Sequence, residues 1–235
     1  MPKILVGILK TGSAPAELAA AQGDYDAAFR QLLGDDDFEF ETYDIENNVF
    51  PGSPASADAW LITGSRHGVY EDHSWIAPLE ALIRDIRDSR IPLVGIYFGH
   101  QIIAQALGGK VERATAGWIA GPQRYRDAGG TEFVMNAWHR DQVVQTPPDA
   151  EVFATGENCP LAALRYGGGI LTYQGHPEFD RDYFQGLVRE RGGVLEPDMR
   201  DEVMERASRS ILDQAHVVAG LKRILKYWSE GAPAG

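Results

Sequence analysis

The sequence predicts an α/β fold, in which a doubly wound, mostly parallel sheet with flanking helices carries a small antiparallel β extension. Two observations support this fold class. Over residues 3–109, short apolar runs with strand character alternate with amphipathic helical patterns, which is typical of successive β-α-β units. Over residues 110–173, short β-prone runs are separated by Gly, Pro and Asn and lack a helical period, which favours antiparallel strands.

The parallel region begins with an apolar, β-rich run at residues 3–9, which predicts a buried first strand. A helix is predicted over residues 24–33, where apolar side chains recur at helical spacing and Gly34 closes the pattern. Residues 38–42 alternate Phe or Thr with Glu, which indicates a strand near the sheet edge. Residues 59–63 form a further short apolar strand that leads into a loop with Gly and Ser.

The next unit repeats this order of helix and strand. Residues 74–89 carry apolar side chains on one helical face, and residues 91–96 form a buried strand. A sharp turn is predicted at residues 97–99. It leads into a helix over residues 100–107, which two glycines end.

The C-terminal part of the chain is helical by pattern, over residues 180–191 and 196–228. The apolar stripe on the later of these helices is typical of core packing or of a dimer contact. Because no linker or repeat divides the chain, we expect one domain over residues 1–230, followed by a frayed tail at residues 231–235.

The charge balance excludes two classes of partner. Acidic residues outnumber basic ones by 34 to 22, which gives a formal net charge of −12. A protein that binds the nucleic-acid backbone needs a basic face, and an anionic membrane repels such a chain. We therefore expect no nucleic acid and no membrane as partners, whereas a small anionic or zwitterionic ligand in a local pocket remains compatible.

The sequence contains one cysteine, Cys159, which rules out an internal disulfide framework and a Cys-rich zinc site. The apolar run at residues 4–9 is too short to cross a bilayer. It also lacks the basic lead-in and the small-residue cleavage site of a secretory signal. The sequence thus predicts a reduced, cytoplasmic protein.

Residues 95–101 read Gly-Ile-Tyr-Phe-Gly-His-Gln and join a buried strand to a helix through a tight turn. This pattern matches a nucleophile elbow, in which the middle residue, here Tyr97, is forced out at the end of the strand while glycines let strand and helix approach closely. The backbone N–H of Phe98 then points to where an oxyanion would develop, and the helix N-terminus adds positive dipole.

A second candidate segment is His176-Pro177-Glu178-Phe179, which follows an apolar run. His176 and Glu178 are two residues apart, so in extended backbone their side chains emerge on the same side. Glu178 can then hold the imidazole in one tautomer and stabilise its charged form, as the third member of a catalytic triad does. The pair indicates a site only because it accompanies the elbow.

Residues 92–111 and the His-Pro-Glu-Phe segment resemble the class I glutamine amidotransferases. More narrowly, the chain is similar to stand-alone GMP-synthase-like amidotransferases, a group related to plant γ-glutamyl peptidases. The resemblance covers residues 1–185 and implies a flavodoxin-like fold. It also implies a Cys-His-Glu triad in which the cysteine of Gly-x-Cys-x-Gly-x-Gln attacks a glutamine side-chain amide or a γ-glutamyl bond, and water then hydrolyses the thioester.

This chain departs from the family motif at the nucleophile position, which Tyr97 occupies. A thiol with a pKa of ~8.5 is a few per cent ionised at neutral pH, whereas a phenol with a pKa of ~10 is ionised to about one part in a thousand. The ring would also fill the space that a substrate amide needs, where its hydroxyl could hydrogen-bond His176. We therefore expect a chain that is inactive or strongly impaired as a thiol glutaminase.

The resemblance implies roles for several further residues. Gly64 and Ser65 would lie in a loop that offers a second oxyanion N–H, and Ser65 is an alternative hydroxyl for which no base is identified. Gln101 matches the motif glutamine, which is expected near the substrate amide. His139 and Asp141 match a His-x-Asp segment near the glutamine pocket. Taken singly, such residues are more typical of helix surfaces and strand ends.

The remaining reactive side chains suggest no further chemistry. The resemblance places Cys159 outside the elbow, where it is expected to be a small buried apolar residue. We expect no metal and no cofactor, because the other histidines show no ligand spacing joined to carboxylates. These histidines are His67, His73, His100 and His216.

Three functions remain open on the sequence. The chain could be a pseudo-amidotransferase that binds glutamine or a γ-glutamyl small molecule without turnover. It could instead be a hydrolase or transferase whose chemistry is rebuilt around Tyr97, His176 and Glu178. It could also be a non-catalytic regulatory or interaction subunit of a synthase, and a homodimer is compatible with each. We expect any transfer of ammonia to need a separate chain.

Overall fold

A computed structural model of the chain describes residues 2–167 and 169–226. Within these residues the chain forms eleven β-strands and seven α-helices. The strands are β1 Ile4–Lys10, β2 Phe38–Asp44, β3 Ala59–Ile62, β4 Leu93–Ile96, β5 Lys110–Arg113, β6 Ile119–Asp127, β7 Glu132–His139, β8 Asp141–Gln145, β9 Ala150–Gly156, β10 Cys159–Tyr166 and β11 Ile170–Tyr173. The helices are α1 Ala16–Gln22, α2 Tyr25–Leu33, α3 Ile76–Asp88, α4 Phe98–Ala106, α5 Arg181–Arg191, α6 Pro197–Arg209 and α7 Gln214–Leu225.

Nine of these strands form one sheet in the order β2-β1-β3-β4-β11-β10-β9-β6-β7. The pairs from β2 to β11 are parallel, and the pairs from β11 to β7 are antiparallel. Strands β5 and β8 form a separate two-stranded antiparallel sheet. The predicted fold class, a mostly parallel sheet with flanking helices and an antiparallel extension, is confirmed.

Antiparallel strands are predicted throughout residues 110–173, and for strand β11 this prediction is wrong on one side. It runs parallel to β4, with Thr172 opposite Gly95, while its other edge pairs antiparallel with β10. The central strands β3, β4 and β11 are buried along their whole length, as expected for strands covered on both faces. Strand β2 lies at the sheet edge as predicted, and there Glu39 is exposed beside buried Phe38.

Helices cover both faces of the parallel strands, which makes the fold doubly wound. On one face, α3 and α4 pack in an apolar cluster with Trp60 and Leu93. On the other face, α2 and α7 pack with Val6 and Val94. A third cluster joins α5 and α6 to Ala120 of β6 and Trp138 of β7, so these helices cover part of the antiparallel strands.

Two helices differ from the sequence prediction. The helix predicted over residues 196–228 is divided into α6 and α7, because Asp213 leaves the helical path and pairs with β7. Its N–H donates to the Val134 carbonyl at 2.9 Å, and its carboxylate accepts the Val134 N–H at 2.8 Å. Helix α1 was not predicted, because its small residues carry little hydrophobic periodicity. Its Leu18 side chain packs directly against Gly186 of α5.

The α7 part of the C-terminal apolar stripe is core packing in this chain. Val217, Leu221 and Leu225 of α7 are buried in the cluster beneath the sheet, whereas Ile211 between the helices is 80% exposed. The predicted tail at residues 231–235 lies outside the described residues, and one domain over residues 1–230 stays a prediction. None of the helices in the described part of the chain has the length and apolar character needed to cross a membrane.

Candidate active site

Tyr97 lies in the sharp turn between strand β4 and helix α4. Its backbone has φ 53° and ψ −102°, a left-handed region that non-glycine residues rarely enter. The Tyr97 N–H donates to the Tyr173 carbonyl of β11 at 2.8 Å, and its carbonyl accepts the Gln101 N–H at 3.1 Å. Such strain costs about 1–3 kcal/mol and persists only where the surrounding structure imposes it. The geometry matches the predicted elbow.

The glycines on either side of Tyr97 are required by packing. A Cβ atom on Gly95 would lie 2.6 Å from the Gly99 carbonyl carbon and oxygen. A Cβ atom on Gly99 would lie 2.4 Å from the Ile62 carbonyl oxygen of β3. Strand and helix therefore approach until their backbones touch, and this contact fixes the direction in which Tyr97 leaves the sheet.

His176 and Glu178 follow strand β11 and lie beside the elbow. The Nδ1 atom of His176 is 2.7 Å from the Oε1 atom of Glu178, and both residues are buried. The His176 N–H donates to the Asn136 carbonyl at 2.8 Å, and the imidazole stacks on Phe179 with ring centroids 4.1 Å apart. The predicted pair is thus assembled, and its imidazole is held from two directions.

The Tyr97 ring packs against His176 without a hydrogen bond to its free nitrogen. The ring centroids are 4.9 Å apart at an interplanar angle of 44°. The Nε2 atom of His176 is buried and has no hydrogen-bond partner among the described residues. The expectation that the Tyr97 hydroxyl could bond His176 is therefore wrong, because the two side chains meet through their rings.

The loop after β3 closes the other side of the Tyr97 ring. A Cβ atom on Gly64 would lie 3.2 Å from Cδ1 of Tyr97 and 3.5 Å from Cε1 of His176. The loop is fixed to the end of β1, because the Thr11 hydroxyl donates to the Gly64 carbonyl at 3.2 Å. Ser65 is buried, and its hydroxyl accepts the His67 N–H at 3.2 Å.

The backbone N–H of Phe98 belongs to the first residue of α4, so it has no acceptor within the helix. The Phe98 side chain itself points into the core and is fully buried. The elbow, the loop with Gly64 and Ser65, and the pair of His176 and Glu178 therefore meet at the carboxyl end of the parallel strands.

Gln101, His139 and Asp141 lie next to one another at one side of the elbow. The side-chain amide of Gln101 donates to the Asp141 carbonyl at 2.8 Å and to Oε1 of Gln174 at 3.2 Å. The Asp141 carboxylate accepts the Tyr70 hydroxyl at 2.7 Å. The structure thus brings these three predicted residues together, but none of them is among the described residues that line the cavity at Tyr97.

Two buried imidazoles in this region are held neutral. Burial, and then the nearby His176, lower the pKa of His139 to about 3. Burial, and then His139, lower the pKa of His100 to about 3, and its Nδ1 atom lies 2.8 Å from the Thr172 hydroxyl. Neither imidazole carries charge at neutral pH, so both act as neutral polar groups there.

A cavity of about 560 Å³ opens beside Tyr97 and His176. Its walls combine aromatic rings with a few charged groups. They come from segments far apart in the chain, among them the loop after β3, strand β7 and helix α5. The Arg191 guanidinium donates to the Tyr25 hydroxyl at 3.3 Å and to the Ser13 carbonyl at 3.0 Å. The wall also contains Phe179 of the His-Pro-Glu-Phe segment. The wall residues that the sequence analysis did not find are Tyr25, Arg66, Trp118, Trp138, Leu187, Glu190, Arg191, Gly193 and Val194.

No signal in a single sequence marks these wall residues, because their aromatic and charged types are common in ordinary surfaces and cores. Trp118 and Trp138 have ring centroids 5.5 Å apart; Trp118 directly precedes β6, and Trp138 belongs to the neighbouring strand β7. Only the folded sheet places them across from α5.

Neither the Tyr97 phenol nor the Cys159 thiol ionises readily. Burial, with a further contribution from the negative charge of Asp141, raises the pKa of Tyr97 above its ordinary value. Cys159 begins strand β10 in an apolar cluster with Tyr125 and Phe133, and burial raises its pKa to about 12. The thiol therefore lies outside the elbow and is buried.

Three histidines do have carboxylate neighbours, contrary to the sequence analysis. His216 lies 3.1 Å from Asp127, while His67 and His73 both contact Glu71. The spacing of the second set, His-x₃-Glu-x-His, lies in a loop, where helical or strand periodicity cannot reveal which side chains converge. These contacts lie apart from the cavity at Tyr97.

The amino-acid sequence matches a family of known proteins. Residues 42–191 match the family model described as glutamine amidotransferase class-I. The chain is 30% identical to Gamma-glutamyl peptidase 4 of Arabidopsis thaliana over 184 residues, which cover 71% of this chain and 72% of that protein. It is 28% identical to a glutamine-hydrolyzing GMP synthase of Aromatoleum aromaticum over 78% of this chain and 38% of that protein.

A solved structure supports the fold. The crystal structure of a glutamine amidotransferase from Thermotoga maritima superposes with a TM-score of 0.74 and 20% sequence identity, over 97% of this chain and 98% of that chain. This likeness concerns the fold, whereas the family model and the plant relative match at the level of sequence. The chain therefore belongs to the class I glutamine amidotransferase family.

Proposed function

We propose that this chain binds glutamine or a γ-glutamyl compound in the cavity beside Tyr97 and does not hydrolyse it through the thiol chemistry of its family. The observation that carries the proposal is the position of the Tyr97 ring, which lies between Gly64 and His176 at the elbow. In this role His176 and Glu178 keep the positions of the base and the carboxylate of a triad. Tyr97 stands at the position of the nucleophile but does not act as one.

The ring occupies the volume in which the scissile carbonyl would have to lie. A carbonyl attacked from the elbow needs to approach to about 3–3.5 Å, within reach of the oxyanion donors at Phe98 and at the Gly64–Ser65 loop. A Cβ atom added to Gly64 would lie 3.2 Å from Cδ1 of Tyr97, so the ring reaches into the space between the elbow and the loop and reduces the room for that carbonyl.

The phenol is also a poor substitute for a thiolate. Its pKa is raised by burial, so the nucleophilic anion is scarcer than in a free tyrosine. For His176 to act as its base, Nε2 would have to accept the phenolic proton, and this atom has no hydrogen-bond partner among the described residues. If the family thiol were lost from the elbow, Nε2 of His176 would lose its hydrogen-bond partner, and this is the state of Nε2 here.

The cavity supports a zwitterionic amino-acid ligand. Glu190 and Arg191 lie side by side in its wall, so one can pair with an α-ammonium group and the other with an α-carboxylate. Trp118 and Trp138 offer apolar surface for the methylene chain or for a further residue of a γ-glutamyl peptide. The name of the relative Gamma-glutamyl peptidase 4 agrees with this ligand class.

The test compares the wild-type chain with Tyr97→Cys. We expect the wild type to bind glutamine or a γ-glutamyl dipeptide in calorimetry without releasing ammonia or the free amine. Tyr97→Cys should release product at least about 30-fold faster, because a thiol is a few per cent ionised at neutral pH and the phenol about 0.1% or less.

Two variants serve as controls. Tyr97→Ala opens the same space without a nucleophile, so it should bind ligand and remain inactive. Tyr97→Cys combined with His176→Ala should lose the gained activity, because no base remains. The proposal is wrong if the wild type turns over as fast as Tyr97→Cys, or if neither variant binds or hydrolyses any glutamyl compound.

A second candidate function is that of a synthase subunit, which the similarity to a GMP synthase supports, since 78% of this chain aligns with only 38% of that larger protein. Its test is whether the tagged chain co-purifies in equal amounts with an ammonia-using synthase. A further expectation is that Tyr97→Cys gives that synthase a glutamine-dependent rate. A chain that elutes alone from native lysate argues against this function.

A further inference from the structure

The loop between β3 and α3 brings two imidazoles and one carboxylate to a single point. One ligand atom each from His67, Glu71 and His73 lies within 4.8 Å of the other two. Oε2 of Glu71 is 3.2 Å from Nδ1 of His67 and 2.8 Å from Nε2 of His73. We propose that these three side chains bind a zinc ion, in a site separate from the cavity at Tyr97.

The distances suit a tetrahedral ion. Bonds of about 2.0–2.2 Å from zinc to nitrogen and oxygen place neighbouring ligand atoms about 3.4 Å apart. The two contacts to Glu71 are slightly shorter than this, because in the absence of an ion the carboxylate hydrogen-bonds both imidazoles directly. Small side-chain rotations therefore convert the hydrogen-bonded cluster into a coordination shell.

The second nitrogen of His67 has the partner that a zinc ligand needs. Nε2 of His67 lies 3.1 Å from Oε1 of Glu46, a residue of the segment after β2. A carboxylate at this nitrogen favours the tautomer that carries its proton on Nε2, so zinc can take Nδ1 once the proton shared with Glu71 is released; Nε of Arg66 also lies 3.5 Å from Nε2. Arg66 lies 3.5 Å from the same Glu46 oxygen and offsets part of its charge.

The second imidazole is oriented by stacking. The ring of His73 lies parallel to Trp75, with an interplanar angle of 9° and centroids 5.6 Å apart. The His67 and His73 rings meet edge to face at 4.1 Å. Both rings are therefore held in place before an ion arrives, which reduces the conformational entropy that binding would remove.

The donor set selects the type of ion. Two imidazoles and one carboxylate suit zinc and its neighbours among the transition metals, whereas magnesium and calcium prefer shells made of oxygen. The side chain of Glu71 is 45% exposed, so solvent can supply the fourth ligand and the ion can enter. Because Ser65 accepts the His67 N–H, a bound ion would also restrain the loop that lines the cavity.

The experiment uses the full-length, tag-free chain after removal of metal with a chelator. Calorimetric titration with zinc chloride should give one site per chain, and cobalt should produce the visible absorption of a tetrahedral complex. Glu71→Gln and His73→Ala should each weaken zinc binding at least tenfold. Glu46→Gln, which changes only the partner of His67, should weaken it by about 10–100-fold. Magnesium should not compete.

The matched control is His216→Ala, which removes a histidine with a carboxylate partner, Asp127, outside the cluster. Its zinc affinity should equal that of the wild type. Circular dichroism and urea unfolding of every variant in chelator separate a lost ligand from a lost fold. The proposal is overturned if the wild type shows no saturable zinc binding, or if folded Glu71→Gln and His73→Ala bind zinc as tightly as His216→Ala.

Discussion

Replacement of Gly95 by alanine tests whether strand β4 and helix α4 touch as the elbow at Tyr97 requires. A Cβ atom at residue 95 would lie 2.6 Å from the carbonyl carbon and oxygen of Gly99 and from Cδ1 of Ile103. The two Gly99 atoms belong to backbone and cannot rotate away. To reach an ordinary contact of 3.4 Å, strand and helix would have to separate by about 0.8 Å in a close-packed interior.

The size of the effect follows from this clash. Overpacking of a core costs about 1–3 kcal/mol in most cases, and a clash against backbone belongs at the upper end of that range. We therefore expect Gly95→Ala to lower the free energy of unfolding by about 3 kcal/mol, which in a chain of this size lowers Tm by about 6–12 °C.

Urea unfolding followed by far-UV circular dichroism measures the change, with thermal melting as a second readout. Gly52→Ala is the matched control, because a Cβ atom at residue 52 meets nothing within 4 Å. This control should stay within about 0.5 kcal/mol of the wild type. If Gly95→Ala unfolds at the same urea concentration as Gly52→Ala, the two backbones are not in contact, and the position assigned to Tyr97 is wrong.

Two further predictions concern buried titratable groups. Native Cys159 should resist a thiol reagent at pH 8 for as long as the chain stays folded, because its thiol is buried and its pKa is raised to about 12; rapid labelling of the native chain would contradict this. His100 has a pKa of about 3 in the folded chain. An unfolded histidine titrates near pH ~6.5, so protonation of the unfolded chain lowers stability as the pH falls, by on the order of 2 kcal/mol at pH ~5. His100→Asn keeps a hydrogen-bonding group towards Thr172 and removes this titration. In urea unfolding, the variant should therefore lose less stability than the wild type between pH 7 and pH 5. Equal losses in the two proteins would show that His100 does not contribute.

Much of the fold could be predicted because its signals are local. The buried strands at Ile4–Lys10 and Leu93–Ile96 and the helices at Tyr25–Leu33 and Ile76–Asp88 all carry a hydrophobic pattern within their own residues. The break between α6 and α7 could not be found in this way, because Asp213 ends the helical path by pairing with Val134, a residue of a distant strand.

In the candidate site too, local features could be predicted and contacts between distant segments could not. The elbow at Tyr97 and the pair of His176 and Glu178 are short motifs, and the side on which their side chains emerge follows from local backbone geometry. Their proximity to each other depends on β11 lying next to β4 in the sheet, a pairing between residues about eighty positions apart in the chain.

The sequence by itself determined that Tyr97 stands between Gly95 and Gly99 in the elbow motif, since residue identity is a property of the chain alone, and that tyrosine takes the place of a nucleophile there stays a prediction. Tertiary structure decided what that tyrosine touches: its ring packs on His176 and Gly64 and makes no hydrogen bond to Nε2. It also decided the cavity walls and the convergence of His67, Glu71 and His73. The physical reason is that contacts across loops and between distant strands depend on the course of the whole backbone, and no single stretch of sequence encodes that course.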